Sequence, residues 1–289
     1  MPLSFLHGPE NISAYRNTAL VVAHPGHELK VFGWLAETTP RVYVLTDGSG
    51  ANGTSRLPST AKLLIQSGST PDEIFGLMSD AGVYRAILEK KVSIFLAIID
   101  RLAASLTERR IDFVAGDAVE GFNPTHDMCR VLLNAAVAIA ERTLDGTIAN
   151  YEFCLTEWEQ HCRDPHDDRC LHLRLDDPSL KQKLRAAREY EALKEEVQQA
   201  IAVKGEEYFR VECLRKVTDP FPELISETKP YYETCGEQRV AQAKYESVIR
   251  YHDHMLPLLE IIRNYAVGAH AIPRIPIRPQ LTAEQSLIS

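Results

Sequence analysis

The sequence has no excess of positive charge: 32 Lys and Arg stand against 40 Asp and Glu, a formal net charge of −8. Nucleic-acid binding and adhesion to anionic membranes both draw on clustered positive charge, so neither is expected. No apolar run is long enough to span a bilayer. The stretch Met1 to Asn17 has neither a basic n-region nor an apolar h-region, so no secretory signal is expected. The cysteines form no tight Cys-x2-Cys pair. Cys129, Cys154, Cys162, Cys170, Cys213 and Cys235 are scattered through a chain too long to need stapling, and they read as reduced thiols of a cytoplasmic protein. No Gly-x-Gly-x-x-Gly turn follows the first candidate strand, which argues against a nucleotide-binding Rossmann protein. There is no internal repeat and no low-complexity tract.

What is present is an ordinary globular composition, 45% hydrophobic and 25% charged, in 289 residues. That length suffices for one α/β domain over residues 1–289, with a core at about 15–155, additions at about 156–272 and a loose proline-rich tail over 273–289. Thr18 to Ala23 reads as a buried strand, Glu28 to Glu37 as a helix and Arg41 to Thr46 as a second strand, a right-handed crossover unit. Ala61 to Lys91 reads as helical pieces broken by Gly68, Pro71 and Gly82. Ile94 to Arg110 is the clearest amphipathic helix, with Ile94, Phe95, Ile98, Ile99, Leu102 and Leu106 on one side. Ile111 to Ala115 reads as a strand and Asp127 to Arg142 as a helix. Thr147 to Leu155 and Leu171 to Leu175 read as later strands. Asp177-Pro178 opens a helix running to about Val203. Glu207 to Cys213 reads as a short strand and Gln238 to Ala266 as a helix. The fold class expected is a Rossmann-like, mostly parallel sheet with helices on both faces and C-terminal additions.

The chemistry concentrates at the end of the first strand. Val21-Val22 runs into Ala23-His24-Pro25-Gly26-His27-Glu28, a tight turn with an imidazole on each side. In open α/β sheets ligands bind at the carboxyl ends of strands. A third imidazole, His126 in Asn123-Pro124-Thr125-His126-Asp127, also precedes a helix. Three imidazoles at one sheet edge could hold a zinc-type ion and leave a position open. A second cluster, Cys154, His161, Cys162, His166, Cys170 and His172, lacks tight ligand pairs and is interrupted by Pro165, so it reads as a polar surface loop. Arg239, Tyr245, Arg250, Tyr251, His252 and His254 read either as a substrate rim or as ordinary surface groups.

Ala23-His24-Pro25-Gly26-His27-Glu28 resembles the Ala-His-Pro-Asp-Asp-Glu signature of the PIG-L/LmbE-like family of zinc-dependent N-deacetylases. Thr46-Asp47-Gly48 is similar to the Thr-Asp-Gly that ends that family's second strand, and Asn123-Pro124-Thr125-His126 falls where the family carries His-Pro-Asp-His. The likeness covers roughly residues 15 to 155, in order. It implies Zn²⁺, or another divalent transition metal, on His24, His27 and His126, with His27 standing where the family has an aspartate. Imidazole is a competent ligand. The family's general-base aspartate corresponds to Gly26, and its oxyanion-stabilising histidine to Asn123, which can still donate a hydrogen bond. Either another carboxylate, among Glu28, Asp47, Asp117, Glu120 and Asp127, supplies the base, or the chemistry is not amide hydrolysis. Glu120 comes first because a flexible loop can aim it, and Asp47 next; Asp127 suits the N-terminus of its helix.

The resemblance thus implies amide hydrolysis of an amino sugar or similar polar small molecule, with an N-acylated sugar as one candidate. The alternative is an inactive relative serving as a binding or partner module, favoured by Gly26. The long helices after Asp177 and Gln238 could pack on each other or on a second copy in a homo-oligomer.

Overall fold

The computed structural model describes residues 15–50, 53–156, 167–221 and 229–268, and the backbone of 4–7. Its centre is an apolar strand, Thr18–Val22 (β2), buried along its whole length. Parallel sheets covered on both faces require such continuous runs. β2 pairs in parallel with Arg41–Thr46 (β3) on one side and Phe113–Asp117 (β5) on the other. Val21 lies opposite Tyr43 in one pair and Gly116 in the other. A Cβ on Gly116 would stand 2.5 Å from the Val21 carbonyl oxygen, so only glycine permits this approach.

Eight strands make one sheet in the order β1-β7-β8-β6-β5-β2-β3-β4. The parallel part comprises Thr70–Met78 (β4), β3, β2, β5 and Ala149–Phe153 (β6). Antiparallel pairing then adds Val211–Lys216 (β8), Cys170–Arg174 (β7) and Ser4–His7 (β1). The fold is α/β with a mostly parallel, helix-covered sheet. Its strand order reverses between β2 and β5, the position at which such sheets open a crevice for ligands.

The helices are Phe32–Thr38 (α1), Leu57–Ser67 (α2), Asp80–Leu88 (α3), Val92–Glu108 (α4), Pro124–Leu144 (α5), Asp177–Arg188 (α6), Lys194–Lys204 (α7), Tyr231–Ala241 (α8) and Leu256–Ala266 (α9). One core joins α4, α5 and α9 to one sheet face through Phe95, Ile99, Leu102, Leu132, Ala136 and Ile262. The other face packs Phe32, Trp34 and Leu35 of α1 with Leu180 and Leu184 of α6.

Several expectations need correction. β4 lies inside the stretch expected to be helical, Ala61 to Lys91. It is the sheet edge, where Pro71 costs no ladder bond and polar positions face outward. The helix from Asp177 does not run on to Val203: it stops at Arg188, and a short turn over Glu191–Leu193 separates it from α7. Its cap is Asp176, which accepts the Ser179 N–H at 2.8 Å. The helix expected over Gln238 to Ala266 is two helices with a π-turn, Tyr251–Met255, before the second. Ala243, at φ 55°, marks the break. The strand expected at Glu207 to Cys213 lies at Val211–Lys216. Cys213 is disulfide-bonded, which overturns the expectation of six reduced thiols; Cys129, Cys154, Cys170 and Cys235 are free. His161, Cys162, His166 and the tail from Pro273 lie outside the described residues. Among the described residues, no helix is long and apolar enough to cross a membrane.

Candidate metal and active site

The turn after β2 is set by Gly26. Its φ of 107° is a left-handed value, and an added Cβ would stand 2.4 Å from Leu193 Cδ1. Glu28 holds the turn from inside. Its buried carboxylate accepts the Gly26 N–H at 2.7 Å and the Thr60 hydroxyl at 2.6 Å, and that hydroxyl also meets the Tyr190 hydroxyl at 2.7 Å. Burial pushes the Glu28 carboxyl up, and these hydrogen bonds oppose it. Glu28 therefore builds the turn rather than facing a substrate.

The structure brings His24, His27 and His126 together. Ring centroids are 5.3 Å apart for His24 and His27, 4.9 Å for His24 and His126, and 4.6 Å for His27 and His126. Three imidazoles holding one ion at Zn–N of about 2.0–2.1 Å in tetrahedral directions have centroids about 5 Å apart. Two of the rings are anchored by carboxylates. His24 Nδ1 lies 3.0 Å from Asp80 Oδ1 and 2.8 Å from Thr46 Oγ1. His27 Nδ1 lies 3.0 and 2.9 Å from the two oxygens of Asp117. An ionised carboxylate only accepts, so each Nδ1 carries the proton and each Nε2 keeps its lone pair. The third ring, His126, has a buried Nδ1 with no hydrogen-bond partner. Orphaned buried ring nitrogens call for a partner.

Burial holds the His24 imidazole below its ordinary pKa against the pull of Asp80, and holds His126 well below it, with His27 adding to the effect. Neutral rings are the ligating form. Burial alone would raise both carboxyls, but the imidazole beside each wins: His27 keeps the Asp117 carboxyl low, and His24 keeps that of Asp80 well below the carboxylate range. The ring separations, the anchored Nδ1 atoms and the orphaned nitrogen fit a divalent metal. Among the described residues, no group of three or more His, Cys, Asp or Glu side chains meets the distances at which a metal ion is held.

The remaining candidates sit apart. Glu120 turns its carboxylate to Leu155 N at 2.8 Å, Thr156 N at 3.0 Å and Thr156 Oγ1 at 2.5 Å. Asp47 Oδ1 accepts the Ser49 N–H at 3.0 Å. Asn123 caps α5, its side-chain oxygen accepting the Thr125 N–H at 2.8 Å, which leaves its amide N–H groups as donors. Asp127 Oδ1 accepts the N–H groups of Glu120 and Gly121, so it supports the loop before α5; burial pushes its carboxyl up to about 7.

Sequence reading missed Asp80 altogether and ranked Asp117 only among several carboxylates. Asp80 follows β4, so recognising that strand would have placed it at the same sheet edge. Arg130 was also missed. It is fully buried, and it donates to the Asp117 carbonyl at 2.6 Å, Asn150 Oδ1 at 2.9 Å and the Tyr151 carbonyl at 2.9 Å, tying β5 to β6 directly behind the site.

No protein-family model matches this chain, and no curated protein matches it. Among solved structures it is similar to a triple mutant of a deacetylase of the teicoplanin biosynthetic pathway (10% identity, 70% of this chain and 99% of that chain, TM-score 0.46). It is also similar to an A40926 pseudoaglycone deacetylase (14% identity, 72% and 100%, TM-score 0.44). A zinc-inhibited form of teicoplanin deacetylase aligns at 11% identity over 70% and 100%, with a TM-score of 0.42.

Proposed function

We propose that this protein is a metal-dependent amide hydrolase of the N-deacetylase type, acting on an amino sugar or similar small polar molecule. The observation that carries the reading is the convergence of three imidazoles, two with carboxylate-anchored Nδ1 atoms, where the strand order reverses. The motif resemblance around His24 and His126 supports it independently of the geometry. His24, His27 and His126 would hold the ion. Bound there, a zinc-type ion would supply a Lewis acid for the amide carbonyl and lower the pKa of a water.

The chain's own part is binding, orientation and proton handling. Asp80 and Asp117 fix the tautomer and direction of two rings. Asn123 would offer its amide N–H groups to a developing oxyanion. Gly26 can take no proton, and Glu120 and Asp47 reach the rings only by leaving their present partners. Asp80 and Asp117 hold the Nδ1 sides of their rings, away from the Nε2 atoms that would face an ion, and their carboxyls are held low, so the proton-accepting role falls to Glu120 and then Asp47.

The test joins metal analysis to an assay. Purified protein should contain about one zinc-type ion per chain and lose it in His126→Ala. Zn²⁺-loaded protein should release free amine from N-acetylated sugars. Glu120→Gln should lower that release by about 10²–10⁴-fold, the usual worth of base catalysis. Protein that neither carries nor takes up a metal overturns the reading. A second reading, a binding module without turnover, is favoured by the Leu193 side chain packed where a residue 26 carboxylate would stand. It predicts saturable sugar binding with no amine released.

A further inference from the structure

A cavity of about 240 Å³ opens beside the site, bounded by the segment after Gly26, strands β6 and β8, and helices α6 and α7. It is larger than the engineered cavity of about 150 Å³ that takes up benzene. Its walls are mostly apolar and include Leu29, Phe153, Leu184, Val197 and Phe209. Two ammonium groups share this lining, and they differ in their partners. Lys183 Nζ donates to Glu212 Oε1 at 2.7 Å and to the Lys30 carbonyl at 3.0 Å. Lys30 Nζ donates to the Leu155 carbonyl at 2.7 Å, and among the described residues it has no carboxylate partner. An ammonium has three donors, so two remain.

The carboxylates of the lining do not fill that need. Glu212 is saturated by the N–H groups of Gly33 and Trp34 and by Lys183. Glu196 is exposed on α7. Lys30 is exposed and also lines the cavity, so its ammonium stands where the cavity meets solvent. Desolvation and the Lys183 ammonium hold its pKa below the ordinary lysine value, against the pull of Glu120 and Cys154. A carboxylate at the cavity mouth meets the free donors of Lys30, and an alkyl chain behind it covers the apolar walls.

We propose that this cavity binds a medium-chain carboxylate, its head on Lys30 Nζ and its chain against Leu29, Phe153, Leu184, Val197 and Phe209. The site is separate from the imidazoles, and the proposal does not depend on the metal. It is tested by calorimetric titration of the full chain with octanoate, with octan-1-ol as the uncharged control. The expected result is saturable one-site binding of octanoate, with octan-1-ol about tenfold weaker, as loss of a charge-assisted hydrogen bond implies. Lys30→Met should cost octanoate a similar factor and leave octan-1-ol unchanged. Ala200→Trp, which fills the cavity, should abolish both. Absence of saturable octanoate binding overturns the proposal, as does equal affinity for the two probes or full binding by a folded Ala200→Trp protein.

Discussion

Gly26 carries two constraints at once: a left-handed φ of 107° and a neighbour, Leu193 Cδ1, 2.4 Å from any Cβ. Gly26→Asp should therefore destabilise the fold by about 1–3 kcal/mol, from backbone strain and overpacking together. Adding Leu193→Ala should recover the packing share and leave the strain. Urea denaturation of the two singles and the double reads this directly. Asp117→Asn tests the other side of the site. Asn still accepts the Ala23 N–H that Asp117 now takes at 2.7 Å, but it no longer fixes His27 as a carboxylate does. Metal affinity should fall by about 10–100-fold in a competition titration, with little change in the far-UV spectrum. The three imidazoles and Gly26 were legible in sequence because their residue types are tied to strand ends and a turn. Asp80 was not, because its meaning depends on a strand that does not look like one. Leu193 was not, because nothing in an 11-residue window connects it to residue 26.

At the level of elements, the continuous apolar strands β2, β3 and β5 and the amphipathic helix α4 could be read from residue pattern, since each is buried on the faces its pattern declares. β4 escaped because an edge strand can carry Pro71, Asp72 and Glu73. The break between α6 and α7 escaped because Tyr190, which lies in it, is neither Gly nor Pro. It is held instead by a tertiary bond from its hydroxyl to Thr60. Thr60→Val, which strips the Glu28 carboxylate and Tyr190 of that partner, should cost about 1–3 kcal/mol in a thermal or urea melt. The contact of β3 with α4 gives a pH prediction. Tyr43 Oη meets Ser105 Oγ at 2.9 Å, and burial pushes the phenol up to about 12. The folded state thus binds the proton more tightly than the unfolded state, whose pKa is about 10. The stability is intact below pH 10 and is lost as pH rises from 10 toward 12. The urea midpoint of Tyr43→Phe should fall less than that of the parent between pH 9 and 12; equal falls would remove Tyr43 from this role.

Across the whole molecule, the acidic balance and the absence of basic clusters were visible at once, but the disulfide at Cys213 was not. The six cysteines have no spacing that declares a pair. Thiol titration of the denatured, unreduced protein should therefore count fewer than six reactive groups, rising to six after reduction. A metal on the three imidazoles binds only the folded chain, so saturating Zn²⁺ at about 100 Kd should add about 2.7 kcal/mol, and chelation should remove it. An unchanged melting temperature with and without chelator would speak against the site.

Leu193 and Tyr190 belong to chain more than 160 residues downstream of the turn they cover. The imidazole-bearing turn therefore has a roof supplied by chain about two thirds of the way along the sequence. Changes in that roof, far from any ring in primary order, will be felt at His24 and His27 as though they had been made beside them.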